Sequence, residues 1–520
     1  MKTKKVISSL MCVLLAISLA GCGKPGSASG STSKTENPGD THKVLEAAVT
    51  VVNNTYDPWA APNAYDDIGR MQIYDTLAFK DGDGNLSPSL AESWTWSDDA
   101  LNVAFTLRKG VLFHNGDELK ATDVKFSLDT VRTSNSYSTY FANVDRIEVE
   151  DDYTVTVYLN SPNVALLEVL MTFGQIVNEK VYTAAGEQVG TTLESVVGTG
   201  PYKLKEWSPG EYAVYQANEA YFKGAPEVKE IRVSTIADAN SATISLQTGS
   251  IDAYLQTLPA ISVGSLKQDS KLTVEDITSK RLYYLGMNNE RGPFANNPLL
   301  REAVACGVNR DALNSIANEG MGEIVYYPGG PDYSGQPGMK DSGYHYNPER
   351  AKELVKQAGA EGLSFTISLE NSRCLSELAT SLQSQFREIG LNASVDILEV
   401  NAYLKDVYSE GNYDMFISFT TAKTKDMDTV WTNLFHTENI GQGNSTRYSN
   451  KNMDRIIESA RSETDVEARK ALYADGVEIF DQDIPMLALF YEYANRAHSS
   501  QLTVQHGMAE YDNLFYYSWK

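Results

Sequence analysis

Residues Leu90 to Asp129 read LAESWTWSDDALNVAFTLRKGVLFHNGDELKATDVKFSLD. Within them Val103, Phe105 and Leu107 alternate with polar neighbours, the period of a strand that buries one face. Thr122 then stands where a helix N-cap is expected, ahead of the apolar side chains Val124, Phe126 and Leu128. A strand leading into a capped helix makes this stretch scaffold. His114, in Phe113-His114-Asn115-Gly116, is accordingly read as a turn residue and not as a ligand.

Downstream, strand and helix signals alternate. Tyr202 to Glu206 and Tyr212 to Ala217 read as a hairpin around Ser208-Pro209-Gly210, and Glu230 to Val233 leads into a helical stretch from Asp238 to Gln247. Gly198 and Gly200 permit a tight backbone path without the spacing of a phosphate loop. The clearest helix is Pro348 to Ala358: Asn347 caps it, Ala351, Leu354, Val355 and Ala358 form one face, and Gly359 ends it. Strand Ser364 to Leu369, helix Leu375 to Ile389 and strand Asn392 to Leu398 form a βαβ unit, followed by strand Asp414 to Phe419. The chain is thus α/β, with an extended first half and no internal repeat.

Upstream, Lys2, Lys4 and Lys5 precede an apolar run, Val6 to Ala20, that ends in Leu19-Ala20-Gly21-Cys22. Such a segment is too short to span a bilayer, which takes roughly 18 or more apolar residues, and has the features of a cleaved signal of the lipoprotein type. Residues 1–21 are expected to be removed and Cys22 to carry lipid. Gly23 to His42 lacks large apolar side chains, and twenty such residues reach about 25 Å as a flexible tether. The expected location is extracytoplasmic, anchored to the bacterial membrane through lipid. Later apolar stretches, Val164 to Phe173 (with Glu168) and Ile484 to Tyr491, are short enough to be buried core.

The formal charge of −24 becomes −27 once the three lysines of the signal leave, which argues against nucleic-acid binding. Of the four cysteines, Cys306 and Cys374 remain in the folded body, free or paired. No P-loop, HExxH or GxSxG occurs, and the six histidines are scattered. Asp81, Asp83, Asn85 and Glu92 fall at calcium-loop positions, but Leu86 stands where that loop needs glycine. Acidic pairs such as Asp98-Asp99 are expected as solvated surface. No catalytic constellation, cofactor or metal site is expected.

Several separated segments resemble the family 5 extracellular solute-binding proteins, the peptide- and nickel-binding components of ABC importers. Leu90 to Asp129 looks like the family signature almost throughout, and Gly198 to Tyr202, Ala220 to Tyr254, Leu285 to Asn288, Pro298 to Arg310, Asn347 to Gly359 and Tyr448 to Tyr473 continue the likeness in order. The resemblance implies a two-lobed, type II (cluster C-like) periplasmic-binding-protein fold with an extra inserted domain. Carried onto this chain, lobe I is 44–80, 196–275 and 486–520, the insert 81–195 and lobe II 276–485, behind the 1–21 signal and the 22–43 lipidated tether. It further implies a monomeric, non-enzymatic receptor that closes around a peptide or small solute and delivers it to the permease subunits. A nickel chelate, oligosaccharide or anionic metabolite is the alternative ligand, and a secreted hydrolase the remote alternative function.

The resemblance also suggests a pocket. Peptide-binding members hold the ligand's α-ammonium with an aspartate in a stretch that Tyr413 to Asp428, YDMFISFTTAKTKDMD, resembles. Thr420 stands at that stretch's tryptophan position and Lys423 at the aspartate, so Lys423 is read either as attracting an anionic group or as solvated. Arg373 falls near an arginine that takes the ligand carboxylate, the alternative being a surface salt bridge. Tyr137 and Tyr140 resemble an aromatic pocket segment, with buried scaffold as the equal reading.

Overall fold

A computed structural model describes residues 43–60, 67–80, 86–338, 341, 343–422, 424–504 and 513–520. The alternating stretch becomes strand Asn102–Leu107, inside a four-stranded antiparallel sheet ordered Ala91–Trp96, Asn102–Leu107, Thr154–Leu159, Val144–Asp151. Val103, Phe105 and Leu107 are buried and Thr106 is exposed. The next helix is Ala121–Val131 with Lys120 at its N-cap, and Thr122 is exposed inside the first turn. Thr122 is therefore not the cap. The Asp123 carboxylate completes a capping box by accepting the backbone N–H of Lys120 at 3.0 Å, and it also accepts that of Glu179, the first residue of helix Glu179–Ala185, at 3.1 Å.

A larger, 11-stranded sheet carries β1 (Leu45–Val49), β2 (Tyr202–Ser208), β3 (Tyr212–Ala217), β4 (Glu230–Thr235), β5 (Ala253–Tyr254), β6 (Leu272–Met287), β7 (Ser364–Glu370), β8 (Asn392–Leu398), β9 (Met415–Thr421) and β10 (Met486–Ser499). Its order is β8-β7-β9-β6-β10-β5-β1-β4-β3-β2, with Glu323–Ile324 pairing alongside β10. The expected βαβ unit is present: β7 and β8 run parallel around helix Arg373–Glu388, which Gly390 terminates at φ +87°. Helix Pro348–Gln357 is capped by the Asn347 side chain, which accepts from the Arg350 N–H at 3.0 Å.

The long strands β6 and β10 tie the two ends of the sheet together. They pair antiparallel through most of their length, but the register shifts between Thr278 and Leu282. On one side of that break lie β1 to β5 and on the other β7 to β9. Helices cover both faces of the latter part. One face packs Leu285, Met415 and Ile417 against helices Pro298–Gly307, Pro348–Gln357 and Arg373–Glu388. The other packs Tyr284 and Phe416 against helices Met427–Phe435, Lys451–Ser462 and Val466–Asp483. Alternate residues of one strand thus enter opposite cores, as the two-residue period requires.

A separate core joins β1 and β4 to the four-stranded sheet, from Leu45 and Ile231 to Phe105 and Val155. Close backbone approach makes this junction possible: a Cβ on Gly198 would lie 1.9 Å from the Ile73 carbonyl oxygen, and one on Gly200 2.5 Å from that of Gln72. His114 locks the same place. Its Nδ1 accepts from the Gly198 N–H at 3.4 Å and its Nε2 donates to the Gly200 carbonyl at 3.0 Å. The turn reading of His114 holds, with a structural role added. Val164 to Phe173 contains the buried helix Leu166–Phe173, and no helix among the described residues is long and apolar enough to cross a membrane.

Candidate functional site

In an α/β sheet, ligand sites form beyond the carboxyl ends of the parallel strands, where helices begin and side chains of several strands converge. Here β7 and β9 are parallel neighbours, and helix Arg373–Glu388 begins just past the end of β7. At the end of β9, Thr420 pairs with Leu282 and Thr421 with Arg281. Across β6, Leu282 faces Tyr491 of β10, the last pair before the register break. Glu492 follows at the break itself, with no partner in the ladder register. Bulges of this kind re-aim side chains and recur beside binding sites.

The side chains there form a small charged and aromatic cluster. Arg281 Nη1 lies 3.4 Å from Glu492 Oε2, and its guanidinium sits 4.8 Å from the centroid of Phe419. Phe419 in turn lies 5.7 Å from Tyr283. Burial pushes the Glu492 carboxyl above its ordinary range, and the Arg281 charge opposes that shift. Burial likewise raises the Cys374 thiol. Both Cys374 and Cys306 are free.

The sequence-predicted residues divide among three places. Thr420 is half-buried at the end of β9, turned by the strand period to the face opposite Phe419, and Arg373 opens the adjoining helix, with only its backbone position described. Lys423 and Cys22 lie outside the described residues, as do Asp81, Asp83 and Asn85. Tyr137 and Tyr140 stand elsewhere, on Phe173 at the end of helix Leu166–Phe173: Tyr137 is buried and stacks on that ring at 4.8 Å and 27°, and Tyr140 is half-buried at 4.7 Å.

That same helix carries a contact the sequence reading did not resolve. Glu168, 3 % exposed, pairs with Lys80 Nζ at 2.7 Å and accepts the Ser334 hydroxyl at 2.5 Å. Lys80 also donates to the Asp332 carbonyl at 3.1 Å and the Lys425 carbonyl at 2.9 Å, while the Lys425 ammonium pairs with the Asp332 carboxylate. Close by, the Val164 N–H donates to the Arg461 carbonyl at 2.9 Å. Residues packed with the four-stranded sheet are thereby fastened to loops of the second half. Burial raises the Glu168 carboxyl, and Lys80 counters it. The one sequence signal was a glutamate inside an apolar run.

Arg281 and Glu492 were not foreseen either. Neither lies in a motif, and they meet as the cross-strand neighbours that follow the Leu282–Tyr491 pair. Among the described residues no group of three or more His, Cys, Asp or Glu is placed to hold a metal ion. His436 serves as a helix cap, its Nδ1 accepting the Glu438 N–H at 3.3 Å.

Residues 85–442 match the family model described as bacterial extracellular solute-binding proteins, family 5 Middle. The glutathione-binding protein GsiB of Salmonella paratyphi A is 28% identical over 473 residues, covering 88% of this chain and 91% of GsiB. Among solved structures, HbpA2 of Haemophilus parasuis superposes with a TM-score of 0.84 at 23% identity, over 92% of this chain and 100% of that one. The ABC transporter-associated periplasmic binding protein DppA of Helicobacter pylori, in complex with the peptide STSA, gives a TM-score of 0.70 at 26% identity, over 92% of this chain and 98% of DppA. The fold is that of the periplasmic binding proteins.

Proposed function

The chain belongs to the family 5 bacterial extracellular solute-binding proteins, and from that premise we propose that it captures a peptide or glutathione-like solute and passes it to the permease of an ABC importer. Its role is binding, not catalysis. The observation that carries the ligand reading is the convergence of Arg281, Tyr283, Phe419 and Glu492 at the carboxyl edge of β9, beside the start of helix Arg373–Glu388. Aromatic walls bind by stacking and shape, and a few placed charges fix orientation. Similarity to a glutathione-binding protein and to a peptide-bound DppA supports the same solute class.

In this reading lobe I is 44–80, 196–275 and 486–520, the insert 81–195 and lobe II 276–485, with β6 and β10 as the crossing strands. Arg373, Thr420 and Lys423 line lobe II's side of the cleft, and Tyr137 and Tyr140 the insert's side. Leu19-Ala20-Gly21-Cys22 supports lipid anchorage through Cys22, which keeps the receptor next to the permease. Native mass spectrometry of the solute that copurifies, followed by thermal melting with that solute, tests the function. A ligand at 100 times its Kd stabilises the native state by about 2.7 kcal/mol. Stabilisation by nickel chelates or oligosaccharides with none by peptides or glutathione would refute the solute class. Turnover of the bound solute by the pure protein would refute the binding role.

A further inference from the structure

Lys80 and Glu168 stand on one body of the molecule and are covered by another. Strand Ala78–Lys80 and helix Leu166–Phe173 are rooted, through Leu77, Leu166 and Leu170, in the core that joins β1 and β4 to the four-stranded sheet. Tyr333 and Met427, in the loops that carry Asp332, Ser334 and Lys425, belong instead to the core behind Tyr284 and Phe416. The chain crosses between these bodies in β6 and β10, whose register breaks on the way. Away from those strands, Lys80 Nζ donates across to the Asp332 and Lys425 carbonyls, and the Ser334 hydroxyl donates back to Glu168. Beside them the Val164 N–H crosses to the Arg461 carbonyl.

The second body's half of this contact is built without Lys80. The Ser334 N–H donates to the Lys425 carbonyl at 2.8 Å, and the Met427 N–H to the Ser334 carbonyl at 3.0 Å. Gln336 Nε2 ties down the Gly329 and Gly330 carbonyls at 2.9 and 3.1 Å, and Arg469 holds Asp426 with hydrogen bonds of 2.9 and 2.7 Å. Two carbonyl oxygens and a hydroxyl thus stand as a preformed socket. We propose that the Lys80–Glu168 pair is a closure latch: an ion pair carried intact by the first body, which enters this socket when the lobes shut and leaves it when they part. This rests on the two-lobed, solute-binding reading above and adds what holds the closed state. With the lobes apart, water serves both charges. Shut, the side chains are 7% and 4% exposed, and the socket replaces the hydration they lose. An ammonium has three donors, and Glu168, Asp332 and Lys425 take them. The latch governs how long a solute stays enclosed and not which solute enters.

Hydrogen exchange and small-angle scattering on the full chain, without solute, test this. The Val164 amide reports the latch because its acceptor lies on the other body, while amides of strand Asn102–Leu107 report global stability. Lys80→Met leaves Glu168 to be buried unpaired on closure, and Ser334→Asp sets a second carboxylate against Glu168 from the opposite body. Each should speed exchange at Val164 more than tenfold beyond any change in strand Asn102–Leu107, and each should enlarge the radius of gyration. Absence of either change in Ser334→Asp overturns the latch. So does a rise of equal size at Val164 and in strand Asn102–Leu107, which assigns the contacts to global stability. Ser334→Asp leaves the first body untouched, so it decides alone if Lys80→Met does not fold. Because no solute enters the experiment, a failed latch leaves the solute-binding reading standing, and failure of that reading shows instead in the absence of any stabilising solute.

Discussion

His114 should make the junction between the four-stranded sheet and the large sheet sensitive to acid. Its Nδ1 accepts the Gly198 N–H and its Nε2 donates to the Gly200 carbonyl, an arrangement that fits only the neutral Nε2–H tautomer. Burial, with the Lys203 charge adding to it and the Gly200 hydrogen bond opposing, pushes the imidazole pKa down from 6.5 to about 4. The unfolded chain therefore takes up the proton first. Stability from this group is complete above pH 6.5 and is lost as the pH falls from 6.5 to about 4. Linkage gives a loss of about 2 kcal/mol by pH 5 and about 3 kcal/mol by pH 4, upper bounds for a residue that keeps some exposure. Urea unfolding at pH 7.5 and pH 5 reads it, with His114→Gln as control because glutamine does not titrate and carboxylate effects cancel in the comparison. The wild type should lose about 2 kcal/mol more than the variant over that interval. Parallel pH dependences, or an imidazole that titrates by NMR near 6.5 in the folded protein, would refute the reasoning.

Removing one partner of a buried ion pair typically costs about 3–5 kcal/mol, so Lys80→Met should lower the melting temperature clearly. The double variant Lys80→Met/Glu168→Leu should recover most of it, and equal melting of single variant and wild type would contradict the fastening role. Cys22→Ala should abolish lipid labelling and move the protein out of the detergent phase; retained label defeats the anchor. Lys423→Ala should weaken the copurifying solute more than tenfold, about 1.4 kcal/mol, if its ammonium meets an anionic group. Unchanged affinity by calorimetry returns Lys423 to solvent.

Much of the fold was legible because its signals are local. Asn347, Pro348 and the apolar face behind them define a helix from adjacent residues, and the observed span, Pro348–Gln357, differs by one residue. The β7–helix–β8 unit was legible for the same reason, since strand length, helix period and a terminating glycine lie within one short stretch. The Thr122 assignment failed where two local rules competed. A threonine before an apolar run satisfies the N-cap pattern, but the Asp123 carboxylate reaches back to the Lys120 N–H, which makes Lys120 the cap, and also takes the Glu179 N–H at the start of another helix.

The site was less legible, and the reason is also physical. Glu168 in an apolar helix announces a buried partner, because an unpaired carboxylate there would cost several kcal/mol. Which lysine supplies it depends on how distant loops pack, and Lys80 gives no local sign. For Arg281 and Glu492 the difficulty is sharper. Arg281 lies opposite Glu492 in the register set by Leu282 and Tyr491, just before the β6/β10 ladder breaks toward Thr278, and a one-residue slip there would turn each side chain to the opposite face. No composition, period or motif marks such a break. The scaffold is therefore written in contiguous patterns, while the Arg281–Glu492 contact sits beside the place where a long strand departs from its pattern.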